Sequence, residues 1–335
     1  RDLGPEAGPG PFADALAGAV ADPGVDCLVV VHAPPLPGEV DAEDAFVDAV
    51  GGVATGEKPI VATFLAARPP VGVPSYPSVE EAVRALARVA AYADWRRRPA
   101  GEVPELPGID PAAARSALSD GDALGPLAAY GIRVVPSLPA ADEAAAVDAA
   151  ALLGYPVALK AAAPGLRHRL DLGAVRLDLG TPEDLRRAYR EVAAAFGAEV
   201  LLQRMVPPGV ACVVEMVEDP AFGPVVGFGL GGVATELLAD RAWRAAPLTD
   251  RDAAALVDAP RAAPLLRGFR GAAPVDRVAL ADLLLRVGRL VDEHPGVRSL
   301  SLNPVLARPD GLAVLHAAVE IGPAHARPDT GPRRL

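Results

Sequence analysis

Residues 154–177 read GYPVALKAAAPGLRHRLDLGAVRL. A short apolar run ends in Lys160, a loop carrying His168 follows, and a second strand-like run, GAVRL, closes the stretch. The chain holds two lysines, Lys160 and Lys58, and arginine supplies its other long basic side chains. A lysine kept at a strand end in so lysine-poor a chain is a compact ammonium that meets a phosphate as a point charge, a role that arginine's planar fork fills poorly. The plainer alternative is a solvated strand-end residue. For His168, between Arg167 and Arg169, the plainer alternative is an exposed loop histidine.

The surrounding chain bounds the setting. Its 335 residues suffice for two or three domains. The 43 acids against 32 bases give a net charge of −11, which argues against a nucleic-acid partner. No apolar run reaches the roughly 18 residues of a membrane helix; the nearest, 224–239, is glycine-rich and carries Glu236. There is no secretory signal pattern. Cys27 and Cys212 sit in apolar, strand-like runs and are expected as buried, reduced thiols in a cytoplasmic protein. The chain begins at Arg1 and enters a helical pattern almost at once, which suggests a piece of a longer polypeptide.

Upstream, residues 12–98 alternate helical and strand patterns. VDCLVVVHAPP and KPIVATFLA are continuous apolar runs of strand length, as buried parallel strands require, and VEEAVRALARVAAYADWRRR is an amphipathic helix. This predicts part of a parallel α/β domain over 1–100. The Pro- and Gly-rich residues 101–115 are expected as a linker, and a second, α+β domain over 116–322. In it TPEDLRRAYREVAAAFG is a helix with Thr181 as its N-cap. EVLLQRMV, ACVVEMVED and PVVGFGLG are expected as strands of one antiparallel sheet, and RSLSLNPVLA with GLAVLHAAVE as a closing hairpin. The tail 323–335 is expected to be disordered.

Lys160, the glycine-containing loop, QRMV, GFGLGG and LNP form a spread-out pattern that suits a nucleotide held between two sheets. Glycine loops let backbone N–H groups approach phosphate oxygens, though GFGLGG also fits backbone crowding at a bulge. An asparagine with an acid on a neighbouring strand would seat Mg²⁺.

This order of motifs resembles the NDP-forming acyl-CoA synthetases, relatives of succinyl-CoA synthetase. GYPVALK, DPAFGPVVGFGLGG, ATELLADRAWRAAPLT and LNPVL stand in the order of the family's ATP-grasp domain. DPGVDCLVVVHAPP and KPIVATFLA resemble the end of the flavodoxin-like CoA-ligase domain that precedes it. The resemblance implies binding of ATP or ADP with Mg²⁺, and of CoA or an acyl-CoA. It implies Lys160 as a phosphate contact, Gln203, Arg204, Val206 and Glu236 in the nucleotide-binding segments, and Asn303 and His316 at the metal. His168 corresponds to the histidine of a swinging loop that carries a phosphoryl group; Arg244 falls in a matching segment without an assigned role. Partners implied are the upstream CoA-binding and CoA-ligase segments, an attached GNAT domain of the kind found in bacterial protein acetyltransferases, and a second copy of the chain.

The chain also departs from the family. Acids are expected where Arg204, Ala211, Ser301 and His316 stand. The leading expectation is therefore a degenerate, regulatory ATP-grasp module with weak or lost Mg-nucleotide binding. The alternative is an active ADP-forming acid–thiol ligase working through His168.

Overall fold

The computed structural model describes residues 1–4, 6–33, 40–54, 58–65, 68–163, 172–232 and 237–323. The chain divides into two compact units, 1–99 and 100–335.

The first unit contains α1 (Pro9–Ala21), β1 (Leu28–His32), α2 (Val40–Val53), β2 (Ile60–Phe64) and α3 (Val79–Arg97). β1 and β2 pair in parallel, Leu28 opposite Ile60 and His32 opposite Phe64. The apolar runs expected as parallel strands thus form them, and every residue of β2 is buried. Phe12, Leu16, Val30, Val50, Ala62 and Phe64 make the core. α3 starts at Ser78, whose side chain accepts from the Glu81 N–H; Glu80 and Glu81 sit in its first turn and Arg96 and Arg97 in its last, matching the helix dipole. Cys27 departs from expectation: β1 begins at Leu28, so the thiol sits in the preceding turn and is exposed.

The second unit opens with α4 (Pro111–Ser119) and α5 (Gly125–Ala129). Asp110 caps α4, accepting from Ala112 and Ala113 N–H, and Ala114 is fully buried in the core. A helix therefore begins at Pro111, inside the stretch expected as a linker, and upstream Glu102 already exchanges hydrogen bonds with Asp250. A four-stranded antiparallel sheet follows, in the order β3 (Ser137–Ala140), β6 (Val200–Arg204), β4 (Val157–Ala161), β5 (Val175–Leu179). Helices α6 (Glu143–Leu153) and α7 (Pro182–Phe196) contribute to the core of this small sheet through Ala146, Ala150, Leu185, Ala188 and Val192, against Val157, Leu159 and Leu202. The positions on α7 recur at helical spacing, and Thr181 caps it by accepting from Asp184 N–H at 3.1 Å.

The larger sheet runs β11 (Gly311–Val314), β10 (Val297–Arg308), β7 (Val210–Asp219), β8 (Gly223–Leu230), β9 (Arg241–Ala245), with β12 (Ala317–Ile321) also pairing with β10. One face, formed by Val214, Met216, Val226, Phe228, Leu300 and Leu302, packs with α8 (Asp250–Asp258) and α9 (Arg277–Glu293), where Leu256, Leu280, Leu284 and Val287 are fully buried. EVLLQRMV was expected to share a sheet with the two runs after it. It forms β6 of the small sheet instead, because it pairs with β3 and β4. The expected closing hairpin exists as β10 pairing with both β11 and β12. Cys212 is fully buried in this core, and burial pushes its thiol pKa up to about 12.

Candidate nucleotide site

Antiparallel register decides which side chains can meet, because paired residues share a face and alternate residues along a strand do too. On the small sheet Lys160 pairs with Leu201 and Ala158 with Gln203. Lys160 and Gln203 therefore stand on one face, while Val157, Leu159 and Leu202 turn to the helices. Both polar side chains are buried. The Lys160 ammonium donates to Gln203 Oε1 at 2.6 Å. The Gln203 amide donates to the Val135 carbonyl at 2.8 Å and to the Leu315 carbonyl, between β11 and β12, at 2.9 Å. The same glutamine orients the lysine and ties the small sheet to the larger one.

Arg204 pairs with Val157 and by register belongs to the opposite face from Gln203; it is exposed at the end of β6. Val206 lies half-buried in the 205–209 connection that leads from one sheet to the other. Of these three QRMV residues, Gln203 is the one brought to Lys160.

Asn303 lies in β10, where residues 303 and 304 interrupt the pairing with β7 between Leu302 and Val305. Its N–H donates to the His316 carbonyl at 3.1 Å, so the two residues named for a metal adjoin through their main chains, one residue from the Leu315 carbonyl that Gln203 holds. Ser301, two residues back, pairs with Glu215 of β7. Glu215 pairs with Gly227 of β8, and Gly227 with Trp243 of β9. The four form one row on the face turned away from α8 and α9. In the next row Val213, Gly229 and Arg241 align, and the Arg241 guanidinium donates through Nη1 to Glu215 Oε2.

The glycines of GFGLGG have a definite local reason. A Cβ on Gly227 would lie 2.6 Å from the Trp243 ring, and one on Gly229 would lie 2.9 Å from Arg241 Cγ. Gly227 makes room for the Trp243 side chain lying back across β8, and Gly229 for the Asp240 carbonyl, 2.8 Å from that Cβ, as well as the Arg241 stem. Gly231 approaches Ala211, whose carbonyl accepts its N–H at 2.7 Å. Arg244 pairs with Val226, whose side chain faces the helices, so it stands on the other face from Arg241. His168 and Glu236 lie outside the described residues, as does the tail from 324. A cavity of about 310 Å³ is lined by first-unit residues only, among them Lys58, Tyr76 and Val89.

Glu215 and Arg241 were not among the residues named from sequence. The one available signal was an acid breaking the apolar run ACVVEMVED, and its partner is 26 residues away on a strand two positions across the sheet.

Two sheets joined through a buried lysine–glutamine pair, with an asparagine on the larger sheet, are what a nucleotide-clamping domain needs, and comparison with known proteins agrees. Residues 111–321 match the family described as the ATP-grasp domain. The chain belongs to the ATP-grasp family. Within it, the relatives include ADP-forming acyl-CoA synthetases. The chain is 37% identical over 198 residues to the beta subunit of ADP-forming acetate–CoA ligase I of Pyrococcus furiosus, covering 56% of this chain and 84% of that subunit. It is 41% identical over 204 residues to ADP-forming acetate–CoA ligase I of Archaeoglobus fulgidus, covering 58% of this chain and 30% of that protein. The ATP-grasp chain described here thus spans about a third of that single-chain relative. Among solved structures it resembles the dinucleotide-forming acetyl-coenzyme A synthetase 1 of Ca. Korarchaeum cryptofilum, in complex with coenzyme A and Mg-AMPPCP and with its phosphohistidine segment pointing towards the nucleotide binding site. That match has a TM-score of 0.53 and 37% identity and covers 63% of this chain and 98% of that one. Among the described residues, no helix is long and apolar enough to cross a membrane.

Proposed function

We propose that this chain is a degenerate, nucleotide-responsive ATP-grasp module of a longer cytoplasmic acyl-CoA synthetase-like protein, one that binds ADP or ATP and regulates attached segments instead of driving ligation. The parent would supply the CoA-binding and CoA-ligase segments and an output domain of the GNAT kind, and the protein would work as a homo-oligomer, with CoA or an acyl-CoA bound by the parent's other segments.

The observation that carries this reading is the donor set around Asn303. Magnesium is a hard cation that favours carboxylate, carbonyl and water oxygens in near-octahedral array. Asn303 offers one neutral amide oxygen. Ser301 offers a hydroxyl, His316 brings an imidazole in place of an acid, and the one carboxylate in register, Glu215, is paired with Arg241. Among the described residues no three His, Cys, Asp or Glu side chains gather to hold a metal. These residues do not fit magnesium. Lys160, by contrast, remains anchored beside Gln203.

Isothermal titration of the chain with ADP and with ATP tests the reading: binding without turnover supports it, and ATP- and CoA-dependent acyl-CoA formation by the parent protein refutes it. The second reading, an active synthetase with His168 as phosphoryl carrier, draws on the Korarchaeum structure, whose phosphohistidine segment points towards the nucleotide. It requires acid-labile label on the parent after incubation with γ-labelled ATP, abolished by His168→Ala; a wild type that takes up no label excludes it.

A further inference from the structure

On the face of the larger sheet turned away from α8 and α9 the chain carries an arginine, ion-paired with Glu215, next to the position of the expected acids. Ser301 and Glu215 are directly paired, Asn303 continues from Ser301, and the Arg241 guanidinium lies against Glu215. Arg241 reaches it from β9 by crossing β8 over Gly229, the position where a side chain would collide with its stem. The arrangement is continuous with the opposite sheet: Lys160 holds Gln203, Gln203 holds the Leu315 carbonyl, and the neighbouring His316 carbonyl holds the Asn303 N–H.

We propose that Arg241 is a built-in cation that takes the place of the divalent metal, binding the diphosphate of a nucleoside diphosphate directly, together with Lys160 of the small sheet. The proposal rests on the reading above that a nucleotide enters beside Lys160.

Three physical points support it. A guanidinium is charged at every physiological pH and offers five N–H donors in a planar fork that matches phosphate oxygens two at a time. Among the described residues its Nη1 is the nitrogen committed to Glu215, so the rest of the fork can turn to an oxyanion. Glu215 is then a positioning residue: it fixes the long side chain over β8 before ligand arrives, reducing the entropy lost on binding. The Ser301 hydroxyl and the His316 ring can each donate a hydrogen bond to a phosphate where an acid would repel it unless a metal intervened.

The test is calorimetric titration of the full chain with ADP in EDTA and in Mg²⁺, with sodium pyrophosphate as a base-free probe. Dissociation constants for ADP that agree within about threefold in the two buffers, and weaken at least about tenfold in Arg241→Gln, are expected. Arg241→Lys keeps the charge without the fork and should recover part of the loss. Arg241→Gln leaves Glu215 half-buried without its partner, so Glu215→Gln/Arg241→Gln, a neutral hydrogen-bonding pair, gives the same reading in a fold free of that defect. ADP binding that requires Mg²⁺, or wild-type affinity in both arginine variants, overturns the proposal and leaves the nucleotide reading intact. No ADP binding in either buffer overturns both.

Discussion

The two sheets, as walls of the proposed nucleotide site, differ in how their polar groups are held. On the small sheet Lys160 and Gln203 are buried, and Gln203 satisfies the ammonium and two carbonyls at once. On the larger sheet Ser301, Asn303 and His316 are only partly buried, and the Glu215–Arg241 pair is partly exposed too. The small-sheet wall is held by stability: removing Gln203 takes one hydrogen-bond partner from the buried Lys160 ammonium and one each from the part-buried Val135 and Leu315 carbonyls. The larger-sheet wall carries no such constraint, since a half-buried serine where an acid was expected leaves nothing buried and unpaired. Substitution without loss of fold is therefore easier around Ser301 and His316 than around Gln203.

The largest effect that can break this contrast is Gln203→Leu. Each hydrogen bond lost costs about 0.5–1.5 kcal/mol, so losing three is expected to lower unfolding free energy by at least about 1.5 kcal/mol, read from the urea midpoint at unchanged m-value. A shift below about 0.5 kcal/mol would mean that the lysine wall is not a structural network. Next in size is the reverse experiment on the other wall. Ser301→Asp with His316→Asp places two carboxylates beside Asn303 and should create magnesium dependence, with ADP bound at least about tenfold more tightly in Mg²⁺ than in EDTA. The two positions are half-exposed, so unfolding free energy should move by no more than about 0.5 kcal/mol each. Absence of magnesium dependence in a folded variant would show that the lost acids do not explain the altered wall.

The smallest effect lies outside both walls and supplies a control. The Tyr130 hydroxyl, fully buried, donates to Glu293 and lies 3.0 Å from His294 Nε2, while Arg289 Nε bonds the other Glu293 oxygen at 2.5 Å. Burial would raise the Glu293 carboxyl, but the bonds from Tyr130 and Arg289 outweigh it and hold its pKa below the ordinary value. Burial holds the His294 pKa down, opposed by Glu293 and assisted by Arg115. A histidine kept neutral by the fold adds stability above its unfolded pKa of about 6.5, and that stability is lost as pH falls through the lowered folded value. Urea midpoints should therefore decline below about pH 6.5 in wild type and less steeply in His294→Gln. Equal slopes would remove His294 from the account, and ADP affinity should be the same in both proteins at pH 7.5.

What was legible in the sequence was local. Thr181 caps α7 because a hydroxyl before a helical run has few better uses, and the two apolar runs near 28 and 60 pair in parallel because neither alternates. Lys160 at the end of β4 could be named because the chain is otherwise so poor in lysine. Sheet membership was not legible: β6 and β7 are adjacent in sequence, and only the five-residue link between them reveals that the chain changes sheet. The role of GFGLGG was half legible. Its glycines do lie where backbone is crowded, Gly229 against the Asp240 carbonyl among them, but Gly227 is explained by the Trp243 ring and Gly229 in part by the Arg241 stem, both arriving from β9, a consequence of register. The Glu215–Arg241 pair escaped for the same reason, since no local pattern states which residue of one strand faces which residue two strands away. Cys27 was misplaced by one residue at a strand boundary, enough to turn a buried thiol into an exposed one.

A crystal structure of the chain grown with ADP and excess MgCl₂ tests the central claim most directly. The account predicts the diphosphate held between Lys160 and the Arg241 guanidinium, with Glu215 still against Arg241. A six-coordinate cation bound by Asn303, with Arg241 turned away from the nucleotide, would contradict it.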